Sequence, residues 1–151
     1  MKKFLCVFLF FAFLQCASFA SPVGYFKTKK IIKEYSKLIE KNPNNAELFY
    51  KRGKLYTAIG KDHDAIIDFQ CAYSIKPDLS DAYLMSGLLY YFDNEYGWAF
   101  EEFNKMIENN PKVADGYYFR AMIYFYIHDD KNYEKDMKKY NELETIKSQG
   151  T

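Results

Sequence analysis

The chain has 151 residues, with 21 Lys or Arg against 20 Asp or Glu, a formal net charge of +1, and an aromatic content of 20%. So even a balance argues against a nucleic-acid binder, which needs a clustered basic face. Only three cysteines are present, two of them within the first 20 residues, which excludes a disulfide framework.

In chain order, Met1-Lys2-Lys3 is a short basic start, Phe4 to Leu14 is an unbroken apolar run, and Ser18-Phe19-Ala20 supplies small residues for a signal peptidase. Residues 1–20 are therefore expected to be a secretory signal cleaved after Ala20. The apolar run is short against the ~20 residues that span a bilayer. Cys16 invites a lipid-attachment reading, but Gln15 stands directly before it and Phe13 three before, where a lipobox has a small residue and Leu. Membrane attachment is thus expected only through an uncleaved N-terminus or through Cys16. The mature chain of 131 residues, 151 less 20, fits one domain in the periplasm or cell envelope. It keeps Cys71 alone, on a predicted helix, where a small buried apolar role is expected.

Residues 21–27 hold Pro22 and Gly24 without a period and read as a flexible leader. From Thr28, Ile31, Ile32, Tyr35, Leu38 and Ile39 recur at helical spacing until Pro43. From Ala46 to Val113 the second half then repeats the first. Gly53 returns as Gly87 (87 − 53 = 34), Tyr56 as Tyr90, Ala65 as Ala99, Phe69 as Phe103 and Pro77 as Pro111. A third copy carries Tyr117, Ala121 and Tyr124 on the same interval. Such a period means stacked helical hairpins. It divides residues 28–147 into a half repeat at 28–45 and full repeats at 46–79, 80–113 and 114–147. Small residues such as Gly53 and Ala65 let two helices approach, and the neighbouring rings fill the flanking space. Asp62 and Ser80 are read as N-caps.

The run Phe49, Gly53, Tyr56, Ala65, Phe69, Pro77, repeated as Tyr83, Gly87, Tyr90, Ala99, Phe103, Pro111, resembles the tetratricopeptide repeat. Arg52, Ser86 and Arg120 depart from it, standing where that family favours Leu. In the third repeat Tyr133 replaces Ala, where a large ring should splay the last helix, and Met137 replaces Phe. The resemblance implies an all-α, right-handed α-solenoid of about seven antiparallel helices, closed by a polar helix over residues 130–147 that caps the array.

No phosphate loop, paired-acid motif or nucleophile constellation is present, so an enzyme is not expected, nor any cofactor. His63 and His128 stand alone in acidic turns and are read as solvated, so no metal site is expected. The resemblance instead implies a concave groove lined by the first helix of each repeat. Carried over by helical spacing, its lining is Glu47, Tyr50, Lys54 and Thr57, then Asp81, Leu84, Met85, Leu88 and Tyr91, then Asp115, Tyr118, Phe119, Met122 and Phe125. Some relatives grip a chaperone's C-terminal carboxylate here with converging cations. This chain offers only Lys54, so that activity is not expected. An aromatic, Met-rich groove suits a protein or peptide with apolar anchors. The expected role is a non-catalytic adaptor or assembly factor. The alternative is a self-associating envelope component whose apolar face joins copies of the chain.

Overall fold

Every turn in the structure repeats on the 34-residue interval, and that regularity defines the fold. The computed structural model describes residues 22–149, which form seven helices and no strand: α1 (Pro22–Lys41), α2 (Ala46–Ala58), α3 (Asp62–Ile75), α4 (Ser80–Phe92), α5 (Tyr96–Asn109), α6 (Ala114–Tyr126) and α7 (Asp130–Gln149). The expected signal segment, with Cys16, lies outside the described residues. Three turns close α2, α4 and α6 with one residue each in the left-handed region: Gly60 (φ 68°), Asn94 (φ 63°) and His128 (φ 59°). After each, an amide reaches back to a tyrosine carbonyl over 2.9 Å, Lys61 to Tyr56, Glu95 to Tyr90 and Asp129 to Tyr124. This is a Schellman closure, which satisfies helix-end carbonyls at the cost of a positive φ. The turns that hold Pro43, Pro77 and Pro111 match as well, with the amides of Asn45, Leu79 and Val113 donating to the carbonyls of Asn42, Lys76 and Asn110.

The helix starts differ in detail from expectation. Residues 21–27 were expected as a leader, yet α1 begins at Pro22. Proline is tolerated in a first helical turn because its missing N–H has no partner there. Thr28, only 2% exposed, donates from Oγ1 to the carbonyl of Gly24 at 3.0 Å and so belongs to the packed helix. Asp62 and Ser80, read as N-caps, are the first residues inside α3 and α4. Leu79 occupies the cap position of α4 and makes no side-chain bond, whereas Asn45 does cap α2, accepting from the amide of Glu47 at 3.1 Å.

The chain divides after Asp68, within α3, into two compact units, each described on its own. In the first, α1 packs on α2, with Ile32, Ala46, Gly53, Ala65 and Ile66 buried. Arg52 donates to both carboxylate oxygens of Asp68, at 2.8 and 2.7 Å, and to Oγ of Ser36 at 2.9 Å. In the second unit α4 packs on α5, α5 on α6, and α6 on α7. Ala99, Phe103, Met106 and Ala121 are buried to 1% exposure or less. Arg120 makes the same fork as Arg52, to Asp136 at 2.7 and 2.8 Å and to Asn104 at 2.8 Å. The two arginines that depart from the expected Leu are therefore anchors for buried acids, bonded through paired charge-assisted contacts.

The middle repeat lacks this anchor. Its acid, Glu102, is 2% exposed, but Ser86 stands at the arginine's position, and among the described residues Oγ of Ser86 and Oε2 of Glu102 have no hydrogen-bond partner. The other Glu102 oxygen accepts from the Tyr73 hydroxyl at 3.1 Å and from Lys105 Nζ at 3.2 Å. Tyr73 also stacks on Tyr83, with ring centres 4.0 Å apart and planes 7° from parallel. Burial, then the charge of Glu102, pushes the Tyr73 hydroxyl far above the ordinary tyrosine range.

Candidate partner-binding face

Gly87 of α4 lies against the ring of Phe103 in α5. Of the fourteen residues expected to line a groove, Glu47, Tyr50, Lys54 and Thr57 lie in the first unit, with the Lys54 ammonium 5.5 Å from the Tyr50 ring centre. The other ten lie in the second unit. Leu84, Leu88, Tyr91 and Phe119 pack directly against the Ala99, Phe103 and Ile123 core, so they form the wall of the face. Phe119 stacks on Phe103, with centroids 5.5 Å apart. Met85 and Met122 are half-buried. Tyr118 is held between Phe119, at 5.1 Å, and Tyr140 of α7, at 5.2 Å. Phe125 is the most open of the nine apolar or aromatic positions, 63% exposed, with its ring 5.7 Å from Tyr133.

Sequence reasoning missed three further exposed rings of this unit. Phe92 is 75% exposed, Trp98 62% and Tyr126 58%. Phe92 and Tyr126 are tied together through Tyr91 and Tyr96: Phe92 meets Tyr91 at 5.8 Å, Tyr91 meets Tyr96 at 5.4 Å, and Tyr96 meets Tyr126 at 4.3 Å, while Trp98 stacks on Tyr90 at 6.2 Å. A continuous file of four rings therefore runs from the end of α4 to the end of α6. Tyr96 is further fixed by donating its hydroxyl to Asn94 Oδ1 at 3.0 Å. The signal was available, because Phe92 and Tyr126 are themselves one period apart (126 − 92 = 34). Each ring contact holds a large apolar surface in one orientation, which lowers the entropy cost of meeting a partner.

Chemistry finds less support in the geometry. His63 is exposed in the first turn of α3, and His128 occupies a left-handed turn position. Among the described residues no group of three or more His, Cys, Asp or Glu side chains is placed to hold a metal ion. Cys71 is half-buried in α3. No described helix is long and apolar enough to cross a membrane. A shallow cleft of about 780 Å³ lies on the outer side of α7, lined by Tyr133, Met137 and Ile146 among others. It is a competing apolar surface of the second unit.

Residues 34–67 match the family model described as a tetratricopeptide repeat. The Hsp70-Hsp90 organizing protein 3 of Arabidopsis thaliana is 28% identical over 92 residues, covering 59% of this chain and 16% of its own length. The small glutamine-rich tetratricopeptide repeat-containing protein 2 of Mycosarcoma maydis is 34% identical over 80 residues, covering 53% of this chain and 23% of its own. The chain thus spans less than a quarter of either relative. Among solved structures, MamA superposes with a TM-score of 0.67 at 24% identity, over 80% of this chain and 66% of that one. YrrB, described as a tetratricopeptide protein with an unusual peptide-binding site, gives 0.62 at 19% identity, over 72% of this chain and 56% of that one. Together with the 34-residue register of turns, these likenesses support kinship with the tetratricopeptide repeat family, and the chain has the all-α solenoid fold of helix pairs found in MamA and YrrB.

Proposed function

We propose that this chain is a non-catalytic adaptor that captures a protein segment bearing apolar anchors on the aromatic face of its second unit, acting after export in the periplasm or cell envelope. The observation that carries the reading is the file of rings from Phe92 through Tyr91 and Tyr96 to Tyr126, whose two ends are mostly exposed. Rigid aromatic anchors beside a packed wall are the composition of interface hot spots. Leu84, Leu88 and Phe119 hold the wall, Met85 and Met122 lend adaptable edges, and Phe92, Phe125 and Tyr126 meet the partner. The peptide-binding site described for YrrB is consistent with such use of a similar fold. Export rests on the composition of residues 1–20 alone.

Selection of peptides from a random displayed library on the full chain tests the proposal. Enriched peptides carrying aromatic or aliphatic anchors should lose about tenfold or more in affinity with Phe92→Ser or Tyr126→Ser, and keep it with His63→Ala. Peptides indifferent to both ring substitutions would overturn the assignment. The self-association reading makes a different forecast: light scattering would show a dimer that the same two substitutions dissolve.

A further inference from the structure

The near-neutral total charge conceals a sharp division. Helix α1 carries six lysines against two glutamates, a net +4, whereas residues 42–149 carry 13 basic against 18 acidic residues, a net −5. The lysines of α1 are also arranged. Val23, Phe26, Lys30, Lys33, Lys37 and Lys41 follow one another at intervals of three or four, which sets them in a single ridge along the helix. All six are exposed, with Val23 at 78% and Phe26 at 69%. The opposite side of the helix is committed to the fold through Thr28 and Ile32, which are buried, and through Ser36, which accepts from Arg52. None of the ridge lysines makes an ion pair among the described residues.

We infer that this ridge is a docking surface for an anionic phospholipid bilayer, with α1 lying along the headgroups. Charge complementarity selects the occupant. A row of ammonium groups at successive turns, ~16 Å from Lys30 to Lys41 at 1.5 Å per residue, matches a laterally continuous field of phosphates. At one end Val23 and Phe26 extend the same ridge with apolar groups sized to enter the headgroup and acyl boundary. A helix with lysines on its outer face and an exposed ring beside them is the pattern of an interfacial helix. The long lysine stems let the charges reach phosphate while the helix stays fixed on its unit. The surface lies in the first unit and does not depend on the aromatic face of the second.

The test is co-sedimentation of residues 21–151, the chain expected after signal cleavage, with vesicles of phosphatidylcholine alone and of phosphatidylcholine with phosphatidylglycerol, at low and high salt. Binding is expected only to the vesicles with phosphatidylglycerol and should weaken as salt rises. The triple change Lys30→Glu, Lys33→Glu, Lys37→Glu should lower it by about two orders of magnitude, at roughly fivefold per lysine. Phe26→Ser should lower it without altering the salt dependence. Lys112→Glu, Lys138→Glu, Lys139→Glu, an equal change in net charge elsewhere, should have little effect, and circular dichroism should report unchanged helix in both triple variants. Equal binding to neutral vesicles, or equal loss in the two triple variants, would overturn the assignment. So would salt-sensitive self-association or capture of an acidic protein by the ridge with no vesicle binding.

Discussion

A methyl group added at Gly87 tests the packing rule on which the repeat depends. A Cβ built there would stand 2.5 Å from Cε1 and 2.9 Å from Cζ of Phe103, closer than side chains tolerate. Phe103 is fully buried and stacked on Phe119, so its ring has little room to swing away. The third repeat shows how the conflict can be removed: Ala121 occupies the position of Gly87 and Met137 that of Phe103, since both are 34 residues on. A thioether chain yields where a ring does not. Replacing helical Gly by Ala should contribute about 1 kcal/mol of helix propensity, while overpacking costs about 1–3 kcal/mol. Gly87→Ala should therefore range from neutral to about 2 kcal/mol destabilising. Combined with Phe103→Met, it should recover the propensity gain, giving a coupling of about 1–3 kcal/mol in favour of the pair. Urea unfolding of the four proteins of the cycle, followed by helical circular dichroism, measures this. A Gly87→Ala protein stabilised by about 1 kcal/mol, with no coupling to position 103, would refute the reasoning.

Arg120→Met leaves the Asp136 carboxylate, whose side chain is 3% exposed, without its bidentate partner. It should cost about 3–5 kcal/mol in urea unfolding, much of it regained with Asp136→Leu added. Alkaline stability follows from the tyrosines: burial first, then the charge of Glu102, raises Tyr73, Tyr83 and Tyr90 above the ordinary value of 10.0. Because the unfolded chain then releases its protons first, the stabilisation is whole below pH 10.0 and is lost as pH rises above it. Denaturation midpoints measured upward from neutral pH should fall in that range, less steeply with Tyr73→Phe. His128→Gly, at a φ of 59°, should stabilise by about 1 kcal/mol through relief of the left-handed strain, seen as a raised melting temperature.

Periodicity made the hairpins legible because a stacked fold imposes the same steric demands every 34 residues, on Gly53 and Gly87 or on Pro77 and Pro111 alike. The polar interior was less legible. Arg52 and Arg120 look like isolated departures until their acids, Asp68 and Asp136, are seen to share the same 68-residue offset (120 − 52 and 136 − 68). The aromatic face was read one step short. Helical spacing picked Tyr91 and Phe125 but stopped before Phe92 and Tyr126, which the helix ends leave exposed. Leu88 and Phe119, expected to line a groove, turn out to support the core, because a half-buried position on a helical hairpin faces both ways. The start of α1 was hidden by Pro22 and Gly24, residues that usually signal a loop but here sit in a helix's first turn. Its charge was hidden by summation over a chain whose remainder is acidic.

The most direct test of partner capture is photo-cross-linking of a selected peptide to the full chain, with a photoreactive phenylalanine analogue placed at Tyr126 or, in a separate protein, at Ile146. Both positions are exposed and both belong to the second unit. Adducts from position 126, suppressed by unlabelled peptide and absent from position 146, are the expected result. Adducts confined to position 146 would move the binding surface to the outer side of α7 and contradict the aromatic face.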